Sequence, residues 1–80
     1  MGRPLKLKAF VRILKRFGIA MKQGKKSTHR ILTKTIDGEK RIYTIAIKKG
    51  EILPVYVDGV RKAFDLTPEH GVSDEDFYGK

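Results

Sequence analysis

Leu7, Phe10, Val11, Leu14 and Phe17 recur at i, i+3, i+4 and i+7. That spacing gathers apolar side chains on one helical stripe. Lys8, Arg12, Lys15 and Arg16 fall largely between them, so the pattern predicts an amphipathic helix with a basic outer face. Pro4 lacks the N–H that a helix interior uses, which sets the start near Leu5 or Lys6. Gly18 directly after Phe17 supplies a C-terminal stop. Ile19–Gln23 then reads as a short strand, and Gly24-Lys25-Lys26-Ser27 as a turn.

Thr28–Ile36 and Lys40–Ile47 are rich in β-branched residues, which suit a pleated, half-buried surface. Asp37-Gly38 lies between them. A two-residue type I′ turn needs positive φ at both centre positions, and Asp-Gly supplies it. Such a turn sets Ile36 opposite Glu39, Leu32 opposite Tyr43 and His29 opposite Ala46. With a side-chain period of two, Leu32, Tyr43, Ile45 and Ile47 share one face, suited to packing helices. His29, Ile31, Ile42, Thr44 and Ala46 share the other, and a one-residue slip exchanges the two.

Lys48-Lys49-Gly50-Glu51 reads as a loop. Pro54 opens or precedes a second helix holding Val57, Val60, Arg61 and Phe64, which Gly59 weakens by about 1 kcal/mol relative to Ala. Thr67-Pro68-Glu69 has the form of an N-cap, first position and acidic first turn, cut short by Gly71. Ser73-Asp74-Glu75-Asp76 caps a short last helix carrying Phe77 and Tyr78. The sum is one α+β domain over 1–80, ordered α-β-β-β-α, with a short acidic tail helix at 73–80. A three-stranded antiparallel sheet with the helices on one face is the layout of the double-stranded RNA-binding fold. The basic motif that opens the last helix of that fold is replaced here by Pro54-Val55-Tyr56-Val57-Asp58-Gly59.

Composition narrows the function classes. Eighty residues leave room for one core. The absence of Cys excludes disulfides and thiolate metal sites, and two His far apart in sequence argue against zinc. No apolar run reaches the roughly 18–20 residues of a membrane span. The start, Met1-Gly2-Arg3-Pro4-Leu5, is basic but has no apolar segment behind it. No signal peptide is therefore expected, and a cytoplasmic location is.

The net charge of +9 is divided along the chain. From Met1 to Ile36 every charged residue is Lys or Arg, whereas Asp65, Glu69, Asp74, Glu75 and Asp76 crowd the end. Unopposed cations repel one another, and a polyanion relieves the cost. Nucleic acid is the commonest such partner.

His29 is the residue suited to chemistry. The first helix, Gly18, a short strand and then Lys25-Lys26-Ser27-Thr28-His29-Arg30 resemble the HicA toxin family, small ribonucleases of bacteria and archaea. Those proteins carry Gly-Ser-His or Gly-Ser-x-His at the entry to their second strand, and Ser27-Thr28-His29 matches the Ser-x-His form. The Asp37-Gly38 turn, the following strand, the Pro54–Phe64 helix and the tail Ser73-Asp74-Glu75-Asp76-Phe77 fall where the family has them. Three departures stand out: Lys26 occupies the motif Gly position, Lys48-Lys49 replaces the usual His after the third strand, and the usual basic, Leu-rich last helix reads Val57-Asp58-Gly59-Val60-Arg61-Lys62-Ala63-Phe64.

The resemblance implies a toxin of a toxin–antitoxin pair, an mRNA endoribonuclease needing no metal and no cofactor. It implies a HicB-type antitoxin as protein partner. RNA supplies its own nucleophile, the 2′-OH, so cleavage requires a group to take that proton and one to protonate the leaving oxygen. Imidazole, ordinarily titrating near pH 6.5, suits either role. His29 is the expected catalytic residue. Lys22, Lys25, Lys26, Ser27, Arg30, Arg12 and Lys15 are the expected RNA contacts, their cations offsetting charge that develops on phosphorus. His70 is expected at the surface or capping a short helix, and Tyr43 in the core. The alternative is an RNA-binding protein of the same fold that does not cleave.

Overall fold

The computed structural model describes residues 4–79. Its elements are β1 (Leu5–Lys6), α1 (Leu7–Arg16), β2 (Ala20–Gln23), β3 (His29–Ile36), β4 (Glu39–Ala46), β5 (Glu51–Ile52), α2 (Pro54–Ala63), a 3₁₀ turn (Pro68–His70) and α3 (Asp74–Tyr78). β2, β3 and β4 form an antiparallel sheet in that order. The chain is an α+β domain, as the hydrophobic pattern requires.

The β3–β4 register agrees with the turn chemistry. Asp37 and Gly38 take φ of 53° and 79°, and Ile36 pairs with Glu39, Leu32 with Tyr43 and His29 with Ala46. One face of the sheet therefore carries the core positions, with Leu32 and Ile45 fully buried. Phe10, Ile13 and Leu14 of α1, Val57 and Val60 of α2, and Phe64 and Phe77 close over it in one core. Among the described residues no element packs over the other face, and Ile42 on it is 58% exposed.

Two segments differ from the sequence expectation. The helix begins at Leu7, because Leu5 and Lys6 pair as a strand with Ile52 and Glu51. Lys6 offers no side-chain cap, and the Leu7 N–H is satisfied instead by the Gly50 carbonyl at 3.0 Å. The expected loop at 48–51 is a tight hairpin. Lys48 and Glu51 exchange both backbone bonds at 2.9 Å, with Lys49 and Gly50 at φ of 52° and 74°. Lys-Gly thus makes the kind of turn that Asn-Gly or Asp-Gly ordinarily signals.

Gly59 has a packing role that helix propensity hides. A methyl group there would stand 1.9 Å from the Tyr43 hydroxyl oxygen and 2.4 Å from Cζ of its ring. Tyr43 lies against α2 because residue 59 has no side chain. Gly59→Ala is therefore expected to cost about 1–3 kcal/mol through overpacking, although the same change in an open helix gains about 1 kcal/mol. Urea unfolding measures the sign, and an unchanged or raised midpoint refutes the packing account.

The acidic tail is fastened by arginines. Arg61 is only 8% exposed. Its Nε donates to the Leu66 carbonyl at 2.8 Å, one Nη to Asp74 Oδ1 at 2.7 Å and the other to the Val72 carbonyl at 3.3 Å. The guanidinium also lies 4.9 Å from the centre of the Phe77 ring. Arg16 donates to the carbonyls of Asp76 (2.8 Å) and Phe77 (3.2 Å), and Phe17 stacks on Phe77 at 5.9 Å. Ser73 and Asp76 form a reciprocal capping box at the start of α3. Asp74 and Asp76 are thus occupied in holding the tail.

Candidate functional site

His29 is the first residue of β3, half-buried, on the open face of the sheet. Its direction follows from alternation: Leu32 points into the core, so His29, Ile31 and Thr33 point away from it. Its main chain is held from three sides. The His29 carbonyl accepts the Gly24 N–H at 2.9 Å and an Arg30 guanidinium N–H at 3.0 Å. The His29 N–H donates to the Lys26 carbonyl at 2.9 Å. Gly24 matters here as well, because a methyl group there would meet the His29 Cβ at 3.0 Å. The glycine serving this histidine is therefore Gly24, before the loop, with Lys26 standing at the motif position.

Lys25, Lys26, Ser27 and Thr28 are exposed in the β2–β3 loop. The Ile47 N–H donates to the Thr28 carbonyl at 2.7 Å, which ties the end of β4 to that loop. The exposed Lys48 and Lys49 follow directly. Two basic pairs remote in sequence thus lie at the end of the sheet that carries His29. Along the chain, Lys48-Lys49 reads only as a missing histidine. The usable signal is the hairpin register, which sets the end of β4 opposite the start of β3.

The other expected contacts divide. Lys22 pairs with Ile31 and shares the open face with His29. Arg30 points to the opposite side and spends its guanidinium on the Ser27 and His29 carbonyls, which fixes the loop. Arg12 and Lys15 are exposed on α1, away from Phe10, Ile13 and Leu14. They lie beyond the helix layer, across the core from His29, and the structure does not bring them to the corner.

His70 is also elsewhere. Its Nδ1 is 3.1 Å from the Thr67 hydroxyl and its Nε2 3.7 Å from Asp65. Asp65 is paired at 2.8 Å with Arg41, which also reaches the Ala63 carbonyl of α2 at 3.2 Å. The hydrogen bond from Arg41 holds the Asp65 carboxyl below its ordinary range. This cluster lies on the helix side of the sheet, so no second imidazole stands beside His29. Among the described residues no three His, Cys, Asp or Glu side chains group as a metal site. None of the described helices is long and apolar enough to cross a membrane.

The fold and site define an α+β domain with one uncovered, acid-free sheet face and a lysine-rich corner around a histidine. No family model matches the chain, and neither a curated protein nor a solved structure matches it significantly.

Proposed function

We propose that the protein is a metal-independent endoribonuclease acting on messenger RNA, with His29 as catalytic base or acid. The observation that carries the reading is the end of the sheet where the backbone gathers His29, the Lys25-Lys26 loop and Lys48-Lys49. In this reaction the 2′-oxygen attacks the adjacent phosphorus and the bond to the 5′-oxygen breaks. A base takes the 2′ proton and an acid returns one to the leaving oxygen. The products are a 2′,3′-cyclic phosphate and a free 5′-hydroxyl, and lysines offset the charge of the pentacoordinate transition state.

The three-stranded antiparallel sheet with helices on one face is compatible with a double-stranded RNA-binding-like, HicA-type fold, and the resemblance to that family implies a cytoplasmic toxin neutralised by a HicB-type antitoxin. A basic face without carboxylates suits an acidic partner surface. The second reading is an RNA-binding protein that does not cleave. It is favoured by the absence of a second imidazole at the corner, which leaves the partner acid to a lysine, a water or His29 acting twice. Incubating end-labelled single-stranded RNA with the protein in EDTA decides between them. Cleavage with cyclic-phosphate ends is expected, and intact RNA with and without EDTA refutes the enzyme.

A further inference from the structure

We propose that the open sheet face holds RNA by its ribose–phosphate backbone and does not read its bases. This rests on the RNA reading above and adds what part of the molecule is recognised.

The argument begins with where the aromatic rings are. Sequence-tolerant capture of single strands ordinarily relies on bases stacking on aromatic side chains. The chain has four Phe, three Tyr and no Trp. Phe10, Phe64 and Phe77 are buried, while Phe17, Tyr43, Tyr56 and Tyr78 pack against the core from its margins. No Phe or Tyr lies on the open face, where the one aromatic ring is the His29 imidazole. That face presents Thr33 and Thr35 from β3, Thr44 from β4, and the methyl surfaces of Ile31 and Ile42. Hydroxyls of this kind bond phosphate oxygens and the 2′-OH as donor or acceptor.

Charge supplies the second, independent observation. By alternation the residues of β2, β3 and β4 on this face include Lys22 and Lys40 and no carboxylate, since Glu39 falls on the helix side. The two lysine pairs close one end. A surface of hydroxyls and methyls, bounded by cations and with no ring but the His29 imidazole at one end, matches a sugar–phosphate chain and offers a base edge little.

The test uses the full chain carrying His29→Ala, so that RNA survives the measurement. Fluorescence polarisation at low salt compares labelled oligo(U), oligo(A), oligo(C), an abasic oligoribose of equal length and oligoglutamate. The three RNAs and the abasic strand are expected to agree within about threefold, with oligoglutamate at least tenfold weaker. Thr44→Glu, an exposed position on β4 beside Ile31 of the central strand, is expected to weaken all four ribose ligands alike by about tenfold or more, and Thr44→Lys to tighten them. A tenfold preference for one base, or a tenfold loss on the abasic strand, overturns the proposal and leaves the RNA reading standing. So does an absence of effect from both Thr44 variants, which puts RNA on another surface. Oligoglutamate bound as tightly as RNA overturns it in favour of an acidic polypeptide partner. No binding of any oligoribose at low salt overturns this proposal and the RNA reading together.

Discussion

Arg61→Ala is expected to lower the thermal unfolding midpoint by roughly 8–32 °C. Three kinds of interaction leave together. The Leu66 and Val72 carbonyls lose their donors, and a buried acceptor left unpaired costs about 1–3 kcal/mol. Phe77 loses the cation above its ring, worth roughly 0.5–2 kcal/mol. The aliphatic stem of Arg61 leaves space between α2 and α3. Asp74 is mostly exposed and returns to water, so its ion pair adds little. A loss of about 2–4 kcal/mol is expected, against a total stability of roughly 4–12 kcal/mol for a chain of this length. In a domain of this size each kcal/mol shifts the midpoint by about 4–8 °C. Circular dichroism melts measure it. Arg61→Met restores the stem without the donors and is expected to recover less than half of the loss. Full recovery by Met assigns Arg61 to packing alone.

His29→Ala is expected to abolish RNA cleavage while leaving binding and folding nearly intact. A positioned general acid or base contributes about 10²–10⁴-fold to rate, so the variant should lose at least that lower figure. Affinity is expected to change by less than about threefold, because the lysine pairs and the open face remain. The backbone bonds to Gly24, Lys26 and Arg30 use main-chain atoms of residue 29 and survive the substitution. Single-turnover cleavage of a short RNA, read beside polarisation with the same strand, separates rate from affinity. Equal cleavage by wild type and variant removes His29 from the chemistry.

Much of the architecture is legible along the chain because its causes are local. The Asp37-Gly38 turn sets the register of an eight-residue ladder, and the register sets which residues share a face. The Ser73 capping box and the Pro54 helix start are equally visible. The strand at Leu5–Lys6 is not, since it exists only by pairing with Glu51–Ile52, and two residues carry no periodicity. Lys49 in a positive-φ turn escapes for a similar reason. Gly-containing turns signal φ > 0 at the glycine, while Lys49 adopts it because the backbone on both sides is already paired. Arg61 gives a readable sign by occupying the i+4 place of a stripe with Val57, Val60 and Phe64, where a cation must find carbonyl partners.

By itself the sequence determined the three helices, the strands of the three-stranded sheet, the hairpin register, the sidedness of β3 and β4, and the presence of His29 in a cation-rich turn. These follow from turn chemistry and side-chain period, both short-range. Only the tertiary structure decided which cations His29 meets. Arg12 and Lys15 precede it on a helix that closes over the opposite face, while the bond between Ile47 and Thr28 brings Lys48 and Lys49 to its end of the sheet. Likewise it decided that Arg16 ends at a carbonyl 61 residues away. Alternation tells which residues of one element share a side. Which element covers which side is settled by burying one apolar face of the sheet and leaving the other to water.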